Sequence, residues 1–143
     1  MIAIQGGCMF LEIKNLEKSF DVGSNKIKVI KDVSLDVERG KMCVMLGPSG
    51  SGKSTLLNII GGIDSADNGY VSIDGEKTKD MNEKQLTEYR RKHLGYVFQM
   101  YNLIPNLTVK ENIEVGAFLS DKPLEIEELL KTLGLYEHKN KLP

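Results

Sequence analysis

The chain has 143 residues, of which 41% are hydrophobic and 27% are charged, a balance that supports one compact core and differs from that of a disordered segment. Its 19 Lys and Arg residues nearly cancel its 20 Asp and Glu residues, so the formal net charge of -1 offers no global positive field to nucleic acid, and we expect no nucleic-acid partner. No apolar run approaches the roughly 20 residues of a membrane-spanning helix, and the two cysteines lack the spacing of a disulfide framework or zinc site, which favours a reducing cytoplasm.

The first part of the chain predicts a short leader followed by an antiparallel β layer. Residues 1–9 contain no Lys or Arg and no sustained apolar stretch, so they lack the features of a secretory signal. Apolar and polar residues then alternate over 11–14 and 33–38, as in strands with one buried face. Turn-forming residues lie between these runs, and Arg39-Gly40 closes the second one.

Residues 42–46 form a continuous apolar run, which predicts a strand covered on both faces, as in the parallel sheets of α/β proteins. Cys43 lies inside this run. We therefore expect Cys43 to be a small buried hydrophobic residue rather than a reactive thiol.

The segment after this run matches the motif G-x-x-x-x-G-K-[ST], and a helix predicted over 53–60 follows it. Glycine allows consecutive N–H groups to point into one concavity and meet phosphate oxygens, and the helix dipole adds to their attraction. Lys53 is expected to reach the β and γ phosphates, Ser54 to coordinate Mg²⁺, and Thr55 to donate to the α phosphate. A glycine-rich turn with a solvated lysine is the alternative that this setting disfavours. The candidate phosphate-binding residues are Gly47, Pro48, Ser49, Gly50, Ser51, Gly52, Lys53, Ser54 and Thr55.

The loop by itself predicts a triphosphate ligand without specifying the base or the reaction. A guanine reader of the Asn-Lys-x-Asp type is missing, because the nearest match at 140–143 lacks the Asp. A small-molecule kinase would need an arginine-bearing lid, and Arg90 and Arg91 lie on a predicted surface helix where solvated charge is the simpler interpretation. Another P-loop NTPase or a kinase stays open as an alternative at this point.

The rest of the chain predicts a hairpin and several helices. Residues 71–75 indicate a hairpin, 81–92 a charged surface helix, and 95–99 a second buried strand. The last third is predicted to be helical. Thr108 and Glu111 have capping-box spacing for a helix through about Phe118, and Pro123 begins another that Gly134 ends.

Together these segments resemble the ATP-binding subunits of ABC transporters, from about Phe10 to the last residue. The resemblance rests on the strand and turn over 33–41, the loop sequence GPSGSGKSTLLN, the hairpin over 69–75, and GYVFQ at 95–99, which is similar to the family's Q-loop. It implies an α/β fold: a partial P-loop NTPase core with an N-terminal antiparallel β layer and the beginning of a helical subdomain. The implied organisation is one incomplete nucleotide-binding domain, with a leader at 1–9, the β layer at 10–40, the P-loop core through the Q-loop at 41–104, and the start of the helical subdomain at 105–143.

The resemblance also implies roles for single residues. Phe20 stands where the family places an aromatic residue that stacks on adenine, whereas an isolated Phe at a strand end is equally well a core residue. Gln99 stands where a family glutamine touches Mg²⁺ and the attacking water. Lys53 and Gln99 are thus the catalytic candidates, Ser54 and Gln99 the metal ligands, and ATP and Mg²⁺ the implied cofactors.

The implied partners are a transmembrane permease subunit and a second nucleotide-binding domain in a homodimer, with the protein peripheral on the cytoplasmic face of the cell membrane. Residues 101–112 are especially similar to the branch that serves lipoprotein release, macrolide export and antimicrobial-peptide export. The apolar residues Tyr101, Leu103, Ile104 and Leu107 are either core or the surface that docks the membrane subunit.

The sequence reaches Pro143 before a Leu-Ser-Gly-Gly-Gln signature, a Walker B acidic pair or a switch histidine occurs. Val71-Ser72-Ile73-Asp74 is not a Walker B strand, because Gly75 follows and the position suits a hairpin. The resemblance implies that the complete protein is an ATPase that couples binding and hydrolysis of Mg-ATP to transport by a separate membrane subunit. We interpret this chain as a fragment of that subunit, which binds nucleotide and lacks the hydrolytic residues. The alternative function is a non-hydrolysing nucleotide-binding module.

Overall fold

The computed structural model describes residues 9–98, 100–118, 120 and 122–143. The chain divides into two compact units, Met1–Leu94 and Gly95–Pro143. In the described part of the chain, no helix combines the length and the apolar character needed to cross a bilayer. The elements are β1 (Met9–Val22), β2 (Asn25–Glu38), α1 (Lys53–Ile60), β3 (Asn68–Ile73), β4 (Glu76–Lys77), a 3₁₀ turn (Thr78–Asp80), α2 (Glu83–His93), α3 (Val109–Ala117), α4 (Ile126–Thr132) and a second 3₁₀ turn (Tyr136–His138).

The sheet of the first unit has the strand order β2-β1-β3-β4, and every neighbouring pair is antiparallel. The predicted antiparallel layer is therefore confirmed. Gly23, with a φ of 61°, and Ser24 form the turn between β1 and β2. Asp74 and Gly75 form the turn of the β3–β4 hairpin, with φ values of 51° and 83°, which is the tight-turn geometry that such pairs favour. Of the predicted leader only Met9 is described, and it begins β1.

β1 is bulged where β3 approaches it. Asn15 has a positive φ of 46°, its backbone N–H donates to the hydroxyl of Ser34 at 2.9 Å, and its side-chain amide donates to Asp32 at 3.0 Å. Opposite this bulge, a Cβ on Gly69 would lie 2.3 Å from the carbonyl oxygen of Lys14. Only glycine fits at Gly69, since backbone atoms block any side chain there.

The core lies between this sheet and one face of α1. Its buried residues are Ile13, Leu16, Ile30, Leu56, Ile59 and Val71. Leu56 and Ile59 are three residues apart and so share one side of the helix. Because α1 packs on the sheet in this way, its first turn is held close to β2.

α2 begins with a capping box, in which Asn82 accepts from the backbone of Gln85 and the Gln85 side chain accepts from the backbone of Asn82. The predicted surface helix is thus present, but part of it packs against the rest of the first unit. Tyr89 is buried, at 1% exposure, and the Arg90 guanidinium donates to the carbonyl of Gly62 at 2.7 Å. The expectation of a solvated Arg90 is wrong, because the loop that follows α1 supplies a carbonyl within its reach.

Two predicted strands, over 42–46 and 95–99, are absent from the residues that the structure describes. Residues 41–48 and 94–98 have no regular secondary structure, and Met42 and Val97 are 93% and 99% exposed. An apolar run becomes a buried strand only where other strands pair with its backbone. No such pairing exists in the sheet formed by the described residues. Cys43 is exposed for the same reason, so its predicted burial is wrong.

The second unit contains α3 and α4. Thr108 and Glu111 form the expected capping box at the start of α3, which ends at Ala117 with Phe118 as its C-cap. The side chain of Asn112 donates to the carbonyls of Ile104, Leu107 and Thr108 at 3.1, 2.9 and 3.0 Å, and so fixes the turn before the helix. The helix predicted from the proline at 123 begins later, at Ile126, and ends at Thr132 shortly before the glycine at 134.

Candidate functional site

The glycine-rich loop leads directly into α1 and is shaped by its glycines. Gly50 and Gly52 have φ values of 78° and 87°, and Gly52 is the N-cap of the helix. A Cβ on Gly52 would lie 3.0 Å from both the Val29 and Ile30 side chains of β2. Glycine at this position therefore allows both the left-handed backbone angle and the close packing of the loop on the sheet.

The open first turn of α1 faces this loop. The Leu56 N–H donates to the Gly52 carbonyl at 2.9 Å, so the N–H groups of the three preceding helical residues have no carbonyl to meet within the helix. No acidic side chain occupies this first turn. The positive end of the helix dipole is thus left to an external anion. The Ser51 N–H donates to the Pro48 carbonyl at 3.3 Å and is partly used within the loop itself.

The Lys53 side chain bends back along the loop. Its ammonium donates to the carbonyls of Gly47 and Pro48 at 2.8 and 2.7 Å and to the Ser51 hydroxyl at 3.2 Å. These acceptors are neutral, whereas a phosphate oxygen is charged and forms the stronger hydrogen bond. An incoming phosphate can therefore replace them without leaving the ammonium unpaired. A Cβ on Gly47 would lie 2.8 Å from the Ser51 hydroxyl, so a side chain there would make the Ser51 side chain move.

An open groove of about 620 Å³ runs between this loop and β2. Residues of β2, Ile27 and Val29 among them, form one wall, and loop residues contribute the other: Gly47, Pro48, Gly50, Ser51, Gly52 and Lys53. The groove has room for a ligand larger than a phosphate. Six of the nine predicted loop residues thus line this groove, whereas Ser49, Ser54 and Thr55 do not.

Phe20 lies on β1 in register with Ile27, which lines the groove. Phe20 is 39% exposed and is outside the core cluster, and the Lys18 ammonium lies over its ring at 5.1 Å from the centroid. The exposure does not fit the core-aromatic interpretation. Stacking of a base on Phe20 stays a prediction.

Gln99 lies outside the described residues, so its expected contacts with Mg²⁺ and water also stay predictions. Among the described residues, no group of three or more His, Cys, Asp or Glu side chains is placed to hold a metal ion. Ser54 is exposed at the start of α1, and its hydroxyl is the described group that fits the predicted Mg²⁺ contact.

Sequence reasoning missed Lys18. This lysine is only 8% exposed, and its ammonium donates to the Asp64 carboxylate at 2.6 Å and to the Ser65 carbonyl at 2.7 Å. A signal was present in the sequence: Lys18 stands two residues after buried Leu16 and two before Phe20, so a regular strand would place all three on one face.

The sequence and the fold can both be compared with known proteins. A family model described as ABC transporter matches residues 30–143. The chain is 46% identical over 136 residues to a putative ABC transporter ATP-binding protein of Mycoplasma pneumoniae, covering 93% of this chain and 29% of that protein. It is 41% identical over 138 residues to the bacitracin export ATP-binding protein BceA of Halalkalibacterium halodurans, covering 93% of this chain and 54% of that protein.

Similar proteins include the macrolide export ATP-binding/permease protein MacB of Mannheimia succiniciproducens, at 42% identity over 130 residues, covering 87% of this chain and 20% of that protein. Among solved structures, an ATP-binding cassette in a dimeric post-hydrolysis state with ADP and Pi superposes with a TM-score of 0.82 at 39% identity, covering 93% of this chain and 61% of that one. The chain spans less than two thirds of each of these proteins. With a family model over most of its length and the fold of a solved cassette, the chain belongs to the ABC transporter family.

Proposed function

We propose that this chain is the nucleotide-binding part of an ABC transporter subunit and that the loop at 47–55 holds the phosphates of Mg-ATP. One observation carries the proposal: the open first turn of α1 is fixed on β2 by Gly52, next to an ammonium whose present partners are neutral oxygens. A polyphosphate would offer negatively charged oxygens both to the open N–H groups of α1 and to the Lys53 ammonium. Family membership favours ATP over the ligands of kinases and guanine-specific enzymes.

Calorimetric titration of the chain with Mg-ATP tests this proposal. Replacing Lys53 with Ala removes one charge-assisted contact, and we expect the affinity to fall by about ten- to a hundred-fold. Lys84, which is exposed on α2, is the matched control, and Lys84→Ala should bind as the unchanged chain does. Equal affinity of the Lys53→Ala and Lys84→Ala variants would reject the loop as the phosphate site.

We further propose that the 143 residues bind Mg-ATP with little turnover. Hydrolysis in P-loop enzymes needs a carboxylate for Mg²⁺ and a group that orients water, and the signature and Walker B residues do not occur in this sequence. Asp74 does not substitute for them, since it lies in the β3–β4 turn and accepts a hydrogen bond from Arg39. Steady phosphate release that Lys53→Ala abolishes would contradict this.

In the complete protein, we propose that ATP binding and hydrolysis drive transport through a separate permease subunit, with a second copy of the domain as partner and the assembly on the cytoplasmic face of the membrane. The two relatives named for bacitracin and macrolide export support this assignment. Gln99 would touch Mg²⁺ and water there, as its place in the Q-loop-like segment predicts.

The surface proposed to dock the permease is the apolar segment after Gln99. Tyr101, Leu103 and Ile104 are 88%, 51% and 39% exposed, which fits a docking surface better than a core. Leu103→Glu should reduce co-purification with the permease while Mg-ATP affinity is retained. Leu133, at 56% exposure, offers the matched control Leu133→Glu. Loss of co-purification in both variants, or in neither, would argue against this surface.

A further inference from the structure

A buried lysine joins the strand of Phe20 to the loop that follows α1. The Lys18 ammonium has three donors, of which two go to Asp64 and Ser65 at 2.6 and 2.7 Å. The same ammonium lies over the ring of Phe20, 5.1 Å from its centroid. A buried ammonium that lost these partners would be costly, so the pairing holds the side chain in one place.

The loop at 61–67 is a direct continuation of α1. The N–H groups of Ile63 and Asp64 donate to the carbonyl of Asn58 at 2.9 and 3.2 Å, and that of Gly62 donates to Ile59 at 3.0 Å. The loop therefore moves with the helix whose other end begins at the phosphate loop.

The same loop is also bound to the backbone of β1. The Asp67 N–H donates to the Glu17 carbonyl at 2.8 Å, and the Asp67 carboxylate accepts from the Ser19 N–H at 2.8 Å. Lys18 lies between Glu17 and Ser19 on the strand, and its ammonium adds the contact with Asp64 and Ser65. Together they fix the strand just before Phe20 to the C-terminal end of α1.

We propose that Lys18 is a positioning residue for nucleotide binding. By anchoring to Asp64 and Ser65 while lying over the Phe20 ring, it sets the distance and orientation between the aromatic surface offered to a base and the loop offered to its triphosphate. The inference rests on the proposed function, since it assigns Phe20 to the base of the same nucleotide. Lys18 acts through Phe20 and touches no part of the ligand.

Binding measurements with two ligands distinguish this positioning role from a general contribution to the stability of the fold. Mg-ATP uses both the base and the phosphate contacts, whereas Mg-tripolyphosphate uses only the phosphate contacts. Lys18→Met keeps the length of the side chain and removes the ammonium. We expect it to weaken Mg-ATP by about three- to ten-fold, the range of one aromatic contact, and to leave Mg-tripolyphosphate unchanged.

Phe20→Ala should show the same selective loss. The double variant Lys18→Met/Phe20→Ala should be no weaker than Phe20→Ala, because Lys18 has nothing left to position. The matched control is Lys14→Met on the same strand, where the ammonium pairs with Asp36 on β2 and both side chains are over a third exposed. It should change neither ligand's affinity.

Other results would overturn the positioning role: equal loss of both ligands in Lys18→Met, no loss of either, or additive losses in the double variant. If Lys18→Met does not fold, Asp64→Asn carries the test, since it keeps an acceptor and removes the charge. Its selective loss of Mg-ATP supports the proposal and any other outcome rejects it. Failure of the proposed function looks different, because the unchanged chain would then bind neither ligand.

Discussion

The hydroxyl of Tyr89 donates a hydrogen bond to the carbonyl of Ile60 at 2.9 Å, joining α2 to the last residue of α1. The last carbonyls of a helix have no partner within it, so a neighbouring donor stabilises the end. The helix that begins at the glycine-rich loop is thus completed by a residue that lies far from it in sequence.

Tyr89→Phe should lower the free energy of unfolding by about 0.5–1.5 kcal/mol, since it removes this hydrogen bond and keeps the buried ring. Urea denaturation measures the change. Tyr101, at 88% exposure, gives the matched control Tyr101→Phe, which should unfold at the same urea concentration as the unchanged chain. Equal stability of Tyr89→Phe and the unchanged chain would mean that the contact contributes nothing to holding α1.

Gly52→Ala should impair both stability and nucleotide binding. The φ of 87° costs a side chain about 1–2 kcal/mol, and the added Cβ would press on Val29 and Ile30 at 3.0 Å. Either these side chains or the loop would have to move, and the strained φ also disfavours the present loop geometry, so we expect a loss of Mg-ATP affinity beyond the loss of stability. Gly95→Ala is the control, since Gly95 has an ordinary φ and no atom within 4 Å of the added carbon. If both variants bind Mg-ATP equally well, the close packing of the loop on β2 does not contribute to nucleotide affinity.

The β3–β4 hairpin should make stability depend on acidic pH. The Arg39 hydrogen bond lowers the pKa of Asp74 below its ordinary 3.8, and the Lys92 hydrogen bond, with His93 adding to it, lowers the pKa of Glu76 below 4.5. A carboxyl whose pKa is lower in the folded chain stabilises it fully above the ordinary value and loses that effect as the pH falls through the lowered one.

The urea midpoint should therefore decrease between about pH 5 and about pH 3, and less steeply in Lys92→Met. Arg91→Met is the control on the same helix, because Arg91 pairs with Glu88 instead. An identical pH dependence in Lys92→Met and Arg91→Met would show that the contact with Glu76 does not contribute.

Several parts of the fold could be predicted because they depend on residues close together in the chain. The capping box of Thr108 and Glu111 and the glycine that begins α1 are formed within a few positions. The antiparallel layer follows from alternation and from the turn at Gly23-Ser24, and it too was predictable. In each case neighbouring side chains and backbone angles supply the interaction.

Residues 42–46 show where such prediction ends. Their apolar character indicates a strand, yet a strand also needs partners for its N–H and C=O groups, and the described sheet supplies none there. The local sequence shows that the run is hydrophobic, but it does not show whether other strands pair with it. The same limit explains the exposed Cys43.

The amino-acid sequence by itself indicated the glycine-rich loop and the helix that follows it, because spacing within a short segment defines them, and the resemblance of several segments together indicated the family. The tertiary structure alone decided which groups pair with Lys18, since its partners Asp64 and Ser65 are 46 and 47 positions away. It likewise decided that Arg90 meets the carbonyl of Gly62, 28 positions away. Such pairings depend on which distant segments pack together, and the pattern within one segment does not specify the partner.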